Sequence, residues 1–278
     1  MDELLTQSLP LTIAIFIATA MFSLGLELRL DQIVAPLRDR RLMAVSLLAS
    51  VVVVPLIALG LAGLIPMDNS LRTGFLVYAM AAGTPAGPKF VQLAKGNAAF
   101  AVGLLAPLLV VTVVALPMVV SVVVPDANVE LGKIVPGLLL VALPLGLGLY
   151  LRARREHTAT RLGQAMHRAS VILLLLVLAQ VCYVHFPAVL ALEAGTLAAG
   201  LLFFPIAFAA GYAMGGPERS NRRALAIMTF GRNGSIALMI ASQVFAHDPK
   251  VMVMILAMGL LSLTIATSAT AWLARTPA

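Results

Sequence analysis

The stretch Ala82–Lys89 reads Ala-Gly-Thr-Pro-Ala-Gly-Pro-Lys and interrupts an apolar run that extends from about residue 72 to residue 94. It cannot form a regular helix, because proline removes a backbone donor and clashes with the preceding turn, and glycine weakens a helix by about 1 kcal/mol. In hydrocarbon the freed backbone groups need partners within the protein. The stretch therefore predicts a broken helix that is buried or lines a cavity.

A second polar interruption, Thr229–Ser235, reads Thr-Phe-Gly-Arg-Asn-Gly-Ser. When the chain is divided into two halves, each break lies in the next-to-last predicted membrane span of its half. The two spans that contain the breaks run in opposite directions across the membrane. This pairing predicts inverted repeats, about 9–124 and about 132–273, with two crossing broken helices and a midplane binding site. Either break taken by itself is also compatible with a packing kink.

The composition predicts a membrane protein. The chain has 278 residues, of which 61% are hydrophobic and 11% charged, and its mean hydropathy is +1.01. A soluble domain has about a quarter charged residues, so lipid is the expected solvent. We predict an all-α, polytopic protein in which residues 1–278 form one transmembrane domain of about nine spans. The spans are expected near residues 9–27, 42–65, 72–94, 98–124, 132–151, 169–187, 189–214, 223–246 and 250–273.

Basic residues predict the orientation. With the N-terminus outside, the inner loops hold 14 Lys and Arg residues and the outer loops hold 3. This bias predicts an inner-membrane protein with an external N-terminus and a cytoplasmic C-terminus. The same scatter of arginines between apolar segments argues against nucleic-acid binding despite a formal net charge of +7.

Two cations, Lys89 and Arg232, lie within predicted spans without an acidic partner nearby in the sequence. A central cation costs about 2.5–3.5 kcal/mol on insertion scales, so intramembrane charges usually serve a function. Snorkelling toward the inner surface near Lys95 is the structural alternative for Lys89. Arg232 lies deeper and is harder to explain in that way.

Two further motifs resemble the bile acid:sodium symporter family. They are Met-Phe-Ser-Leu-Gly-Leu-Glu-Leu at Met21–Leu28 and Leu-Ala-Lys-Gly-Asn at Leu93–Asn97. The resemblance implies inverted five-helix repeats, a core domain with two crossing broken helices, and a panel domain. Some members of the family lack the first helix, as nine spans would require here.

The resemblance also implies that the sodium ligands of the family are missing. Its ligand positions fall on Gly87, Pro88, Ala101, Leu105, Thr229, Asn233 and Ser50. Carboxylate, amide and hydroxyl ligands are thus replaced together. The hypothesis that follows is that Lys89 and Arg232 substitute for the two sodium charges.

These observations predict a secondary transporter of a small organic anion that works without sodium. The candidate substrate-binding residues are Thr84, Gly87, Lys89, Thr229, Arg232, Asn233 and Ser235. A sodium- or proton-coupled symporter of the same fold and a non-transporting, sensory membrane protein are the alternatives. The sequence predicts no enzyme, since it has no paired intramembrane carboxylates or nucleophile motif, and no metal site or cofactor. Its predicted partners are the anion and the lipid bilayer, and it leaves the oligomeric state open.

Overall fold

The computed structural model describes residues 2–28, 39–123, 131–184, 192 and 194–276, and the regular structure within these ranges is helical. The predicted all-α class is thereby confirmed for this part of the chain. The helices are α1 (Asp2–Glu27), α2 (Arg40–Leu64), α3 (Asn69–Met80), α4 (Gly87–Leu93), α5 (Ala98–Val123), α6 (Leu131–Arg154), α7 (Glu156–Val184), α8 (Ala194–Met214), α9 (Arg219–Phe230), α10 (Gly234–Val244) and α11 (Pro249–Arg275). One π-helical turn, Ala49–Val53, lies inside α2.

Within the described ranges, five helices are long and apolar enough to cross a membrane. They are α2, α7 and α11 in full, most of α1, and nearly all of α8. Large apolar side chains such as Leu11, Leu147 and Trp272 are exposed on the outer surface, as expected where lipid is the solvent. Helices α3, α4, α9 and α10 have 12, 7, 12 and 11 residues, so each is too short to span the bilayer by itself. The count of nine spans stays a prediction.

The helices form two layers. Helix α1 packs along α6 and α7, and we call these three the panel layer. Helices α2–α5 and α8–α11 form the second group, the core layer, in which α8 packs on α9 and α3 packs on α11. Helix α10 links the layers through contacts with α1 and α6.

Backbone-to-backbone packing holds the panel layer together where α1 crosses α6. A methyl group added to Gly148 would lie 2.5 Å from the Phe22 carbonyl oxygen and 2.8 Å from Gly25 Cα. Small residues at such crossings allow membrane helices to approach closely. The crossing therefore depends on glycine at both positions.

Aspartates begin three helices by accepting backbone N–H groups. Asp39 accepts from Leu42 at 2.9 Å, Asp68 from Ser70 at 2.9 Å, and Asp248 from Lys250 at 3.2 Å. The Lys250 Nζ atom also lies 2.9 Å from Asp68 Oδ2, so the starts of α3 and α11 are joined by an ion pair. Through its hydrogen bond, Lys250 holds the pKa of Asp68 below the ordinary value.

We expect Gly148→Val to destabilise the protein, because the added side chain separates α1 from α6. Overpacking costs about 1–3 kcal/mol in well-packed interiors, so the melting temperature of the purified protein should fall by several degrees. Gly146→Val is the matched control, since a methyl group at Gly146 meets nothing within 4 Å. Equal melting temperatures for the two variants would contradict the close crossing.

We expect Asp68→Asn to lower the thermal stability slightly at pH 7, because asparagine keeps the helix cap and loses the charge. The pKa of Asp68 is lower in the folded state, so the ion pair stabilises the protein above the ordinary aspartate pKa, and this contribution is lost as the pH falls through the folded value. Melting curves of wild type and variant should therefore converge as the pH falls below about 4. A difference that is constant from pH 7 to pH 3 would exclude the ion pair as its cause.

Candidate functional site

The two breaks meet each other in the core layer. Residues 81–86 separate α3 from α4, and residues 231–233 separate α9 from α10. Their backbones pair in an isolated antiparallel bridge between Ala82 and Arg232. Thr112 of α5 adds a hydrogen bond from its hydroxyl to the Ala82 carbonyl oxygen at 3.1 Å. Polar backbone groups that the breaks release thus find partners inside the protein, as membrane burial requires.

Asn233 is the main side chain that joins the breaks. Its backbone N–H donates to the Ala81 carbonyl oxygen at 2.7 Å, and its amide Nδ2 donates to the Gly83 carbonyl oxygen at 3.1 Å. Its Oδ1 accepts the Ile236 N–H at 3.2 Å and so caps α10. Gly83 has a φ of +86°, which favours glycine at this position. Asn233 also borders a cavity beside the two breaks, but both ends of its amide are used in hydrogen bonds within the protein.

Arg232 is buried at the crossing, with 3% of its surface exposed. Its Nη1 atom donates to the Ser50 carbonyl oxygen at 2.9 Å, whereas its Nε and Nη2 atoms have no hydrogen-bond partner among the described residues. These two atoms form one edge of the guanidinium, the edge that can bind a carboxylate through two parallel hydrogen bonds. No ion pair joins Arg232 to a carboxylate in the part of the chain that the structure describes.

Residues of α2 and α3 lie around the Arg232 side chain. Ser50 belongs to the π-helical turn of α2, and its buried hydroxyl also lacks a partner within the described ranges. The Tyr78 side chain of α3 interacts with Ser262 and lies near enough to Arg232 to interact with it electrostatically. A buried donor without a partner costs about 1–3 kcal/mol. The buried donors around Arg232 would therefore be stabilised by a bound hydrogen-bond acceptor.

Lys89 has a different environment from Arg232. Its side chain is exposed, and its Nζ atom donates to Gln92 Oε1 at 3.3 Å on the same helix. The sequence predicts that both cations are held inside the protein at the breaks. The structure buries Arg232 there, whereas Lys89, in the first turn of α4, is exposed and borders a cavity that Arg232 also borders.

A cavity of about 720 Å³ lies between the panel layer and the crossing. One wall is the face of α7 that carries Val171, Leu174, Leu175 and Leu178, whose spacing puts them on one side of the helix. Helix α11 supplies an opposite apolar wall that includes Ile255, Leu256, Leu260 and Leu263. Most of the lining is thus apolar.

The polar lining includes several residues that the sequence did not single out. Tyr78 and Ser262 lie at the inner end beside Arg232. Glu27 and His167, which are about half exposed, lie at the mouth, and the buried Ser23 and Ser170 of the same two helices also line the cavity. Glu27 is the acidic residue nearest to the end of a predicted membrane span. That position in the sequence could have indicated this group of polar residues. The spacing of His167 and Ser170 along α7 carries no comparable signal.

Six of the seven predicted substrate-binding residues border this cavity: Thr84, Gly87, Lys89, Arg232, Asn233 and Ser235. The seventh, Thr229, does not. Its hydroxyl lies 3.0 Å from the Ala207 carbonyl oxygen of α8 and 2.9 Å from the Leu225 carbonyl oxygen of its own helix. The predicted role of Thr229 in the site is therefore replaced by a role in packing α9 on α8.

Comparison with known proteins identifies one family. The model of the sodium bile acid symporter family matches residues 14–190, which is more than half of the chain. The matched part contains the first break, Glu27 and His167, and it ends before the second break. No curated protein sequence matches the chain at a significant level.

We expect Asn233→Ala to destabilise the protein, because it leaves the Gly83 carbonyl oxygen without its donor and removes the cap of α10. Together these losses should cost about 1–3 kcal/mol, measured as a fall in the melting temperature of the purified protein. Ser235→Ala is the control, since Ser235 borders the same cavity two residues later and lies outside the hydrogen bonds that join the two breaks. If Asn233→Ala, Ser235→Ala and wild type have equal melting temperatures, the Asn233 amide does not hold the two breaks together.

Proposed function

The chain belongs to the sodium bile acid symporter family, a family of membrane transporters. On this premise we propose that the chain is a secondary transporter of small organic anions and that Arg232 binds the anion. In this proposal the anion enters the cavity between the panel and core layers. Transport does not use sodium, because the Arg232 guanidinium supplies the positive charge at the crossing.

The observation that carries the proposal is the unpartnered edge of Arg232. Within the described residues Nε and Nη2 have no hydrogen-bond acceptor, and Nη1 is held by the Ser50 carbonyl oxygen, so the orientation of the guanidinium is set. A carboxylate or sulfonate supplies two acceptors to this edge and the missing counter-charge together. Because both donors are buried, neighbouring side chains have to move before the anion reaches them.

The apolar walls support a substrate with a hydrocarbon body. Binding sites for small molecules are commonly about 300–1,000 Å³ and mostly apolar, with a few polar groups that orient the ligand. The cavity of about 720 Å³ fits this description, with aliphatic walls from α7 and α11. An anion with an aromatic or aliphatic body can bury that body while its head group approaches Arg232.

Sodium independence is supported by the side chains at the positions where the family resemblance puts sodium ligands. Ala101 and Leu105 are buried and apolar, and Thr229 is turned toward α8. The Asn233 amide is used in the crossing. Sodium, like other hard cations, needs several oxygen ligands, and these side chains do not supply a set that converges on one point.

We expect anions to raise the melting temperature of the purified protein, since a ligand that binds the folded state stabilises it by about 2.7 kcal/mol at 100 times its Kd. Benzoate and naphthalene-2-sulfonate should stabilise, and the neutral analogues benzamide and naphthalene should not. Arg232→Gln should abolish the shift, and Arg40→Gln, at the exposed start of α2, should retain it. A shift that survives Arg232→Gln would show that Arg232 does not bind the anion.

We expect uptake of naphthalene-2-sulfonate into proteoliposomes to be unchanged when potassium replaces sodium on both sides. Protein-free liposomes are the control for leakage, which is small because the sulfonate stays ionised. Uptake that requires sodium would instead support the sodium-coupled alternative. Stabilisation by the anion without uptake would support the non-transporting, sensory alternative.

A further inference from the structure

A carboxylate and an imidazole face each other at the mouth of the cavity, both on the panel layer. Glu27 is the last residue of α1, and its Oε1 lies 4.0 Å from His167 Nδ1 on α7. Both side chains border the cavity and are about half exposed, 53% for Glu27 and 65% for His167. The Ser23 hydroxyl is 3.4 Å from Glu27 Oε1 and 3.2 Å from the Gly163 carbonyl oxygen, and it joins the two helices beneath the pair.

Among the described residues, His167 is the basic side chain that the structure places within 4.0 Å of the Glu27 carboxylate. On α7, Glu156 is bound to Arg152 of α6 at 3.2 Å, and Arg154 of α6 lies over the Tyr150 ring. Helix α10, which also contacts α1, has no titratable side chain. The further charges of α7 are those of His157, Arg161 and Arg168. Lys89 of α4 borders the mouth from the core layer, where it is bonded to Gln92.

Protonation of the pair changes the charge that an entering anion meets. With a neutral imidazole the pair carries one negative charge, and with one more proton it carries none. Imidazole is the side chain that gains and loses a proton between about pH 5 and pH 8. An anion in the cavity therefore favours the protonated pair, and by thermodynamic reciprocity the bound anion increases the affinity of the pair for the proton.

The position of the Glu27–His167 pair is suitable for a proton-binding group that is exposed to water in one state of a transporter and closed off from it in another. It lies on the panel layer and borders a cavity whose inner end, at Arg232, belongs to the core layer. In transporters with paired broken helices, access alternates when one bundle moves against the other around the site. Closure of the cavity would remove the pair from water together with the anion and its charge.

From these observations, and on the basis of the proposed function, we propose that Glu27 and His167 form a proton-binding site that couples anion transport to proton movement. One proton bound by the pair crosses with one monovalent anion bound at Arg232, so the loaded cavity has the same charge as the empty one. The pair returns the proton to water after the anion leaves, and no bond is made or broken apart from the bonds to that proton.

The test is uptake of naphthalene-2-sulfonate into sodium-free proteoliposomes with and without an inside-alkaline pH gradient. This sulfonate stays ionised, so it does not accumulate passively as a neutral acid. In wild type we expect the gradient to stimulate uptake several-fold, with pyranine in the lumen reporting acidification when the anion is added. Glu27→Gln and His167→Gln should lose the stimulation and the acidification while keeping the stabilisation of the detergent-purified protein by the anion. Glu156→Gln removes a carboxylate of the same layer outside the cavity, and it should behave as wild type.

Wild-type uptake that is independent of the gradient, or full stimulation in Glu27→Gln and His167→Gln, would overturn proton coupling and leave anion transport standing. A complete absence of anion uptake and of anion-induced stabilisation would overturn the proposed function and the coupling together. Because one of the two variants could fail to fold, each is first compared with wild type by its melting temperature. The other variant then decides the outcome.

Discussion

The pairing of two interrupted helices is the constraint on which the remaining structure depends. Proline and glycine free backbone groups at residues 81–86 and 231–233, and a lipid-facing protein has no water with which to satisfy them. The Ala82–Arg232 bridge and the hydrogen bonds from Asn233 to Ala81 and Gly83 satisfy several of those groups across the crossing. Each break supplies hydrogen-bond partners to the other, so the paired interruptions are one structural unit made from segments about 150 residues apart.

That unit also explains why an arginine is tolerated there. The bridge holds the Arg232 backbone, and the Ser50 carbonyl oxygen holds one end of its guanidinium, so the opposite edge is left without an acceptor from the described residues in a buried place. A buried charge without a counter-charge is unfavourable. In the proposed function, an anion that reaches this edge supplies the missing counter-charge. The two proposals together assign anion binding to the core layer and proton binding to the Glu27–His167 pair of the panel layer.

Much of the fold follows from local patterns in the sequence. Hydropathy predicts the membrane environment, and Gly83 and Pro85 lie in the first break as predicted. Gly87, Pro88 and Lys89 instead form the first turn of α4, because proline is accepted at the start of a helix. Gly231 and Asn233 similarly mark the second break, since a short polar interruption in an apolar run is costly in a bilayer unless its polar groups are satisfied within the protein. Six of the seven candidate site residues border the cavity for the same reason: they belong to the breaks or to their immediate flanks.

Composition and residues close together along the chain are enough to predict the membrane class, the all-α character, the positions of the two breaks and the resemblance to a family. The folded arrangement was needed to learn that Thr229 turns toward α8, that Lys89 is exposed while Arg232 is buried, and that His167 meets Glu27 at the mouth of the cavity. The direction in which a helical side chain points, and its partner on a distant helix, are set by how the helices pack. Packing depends on contacts such as Gly25 with Gly148 that no local pattern specifies.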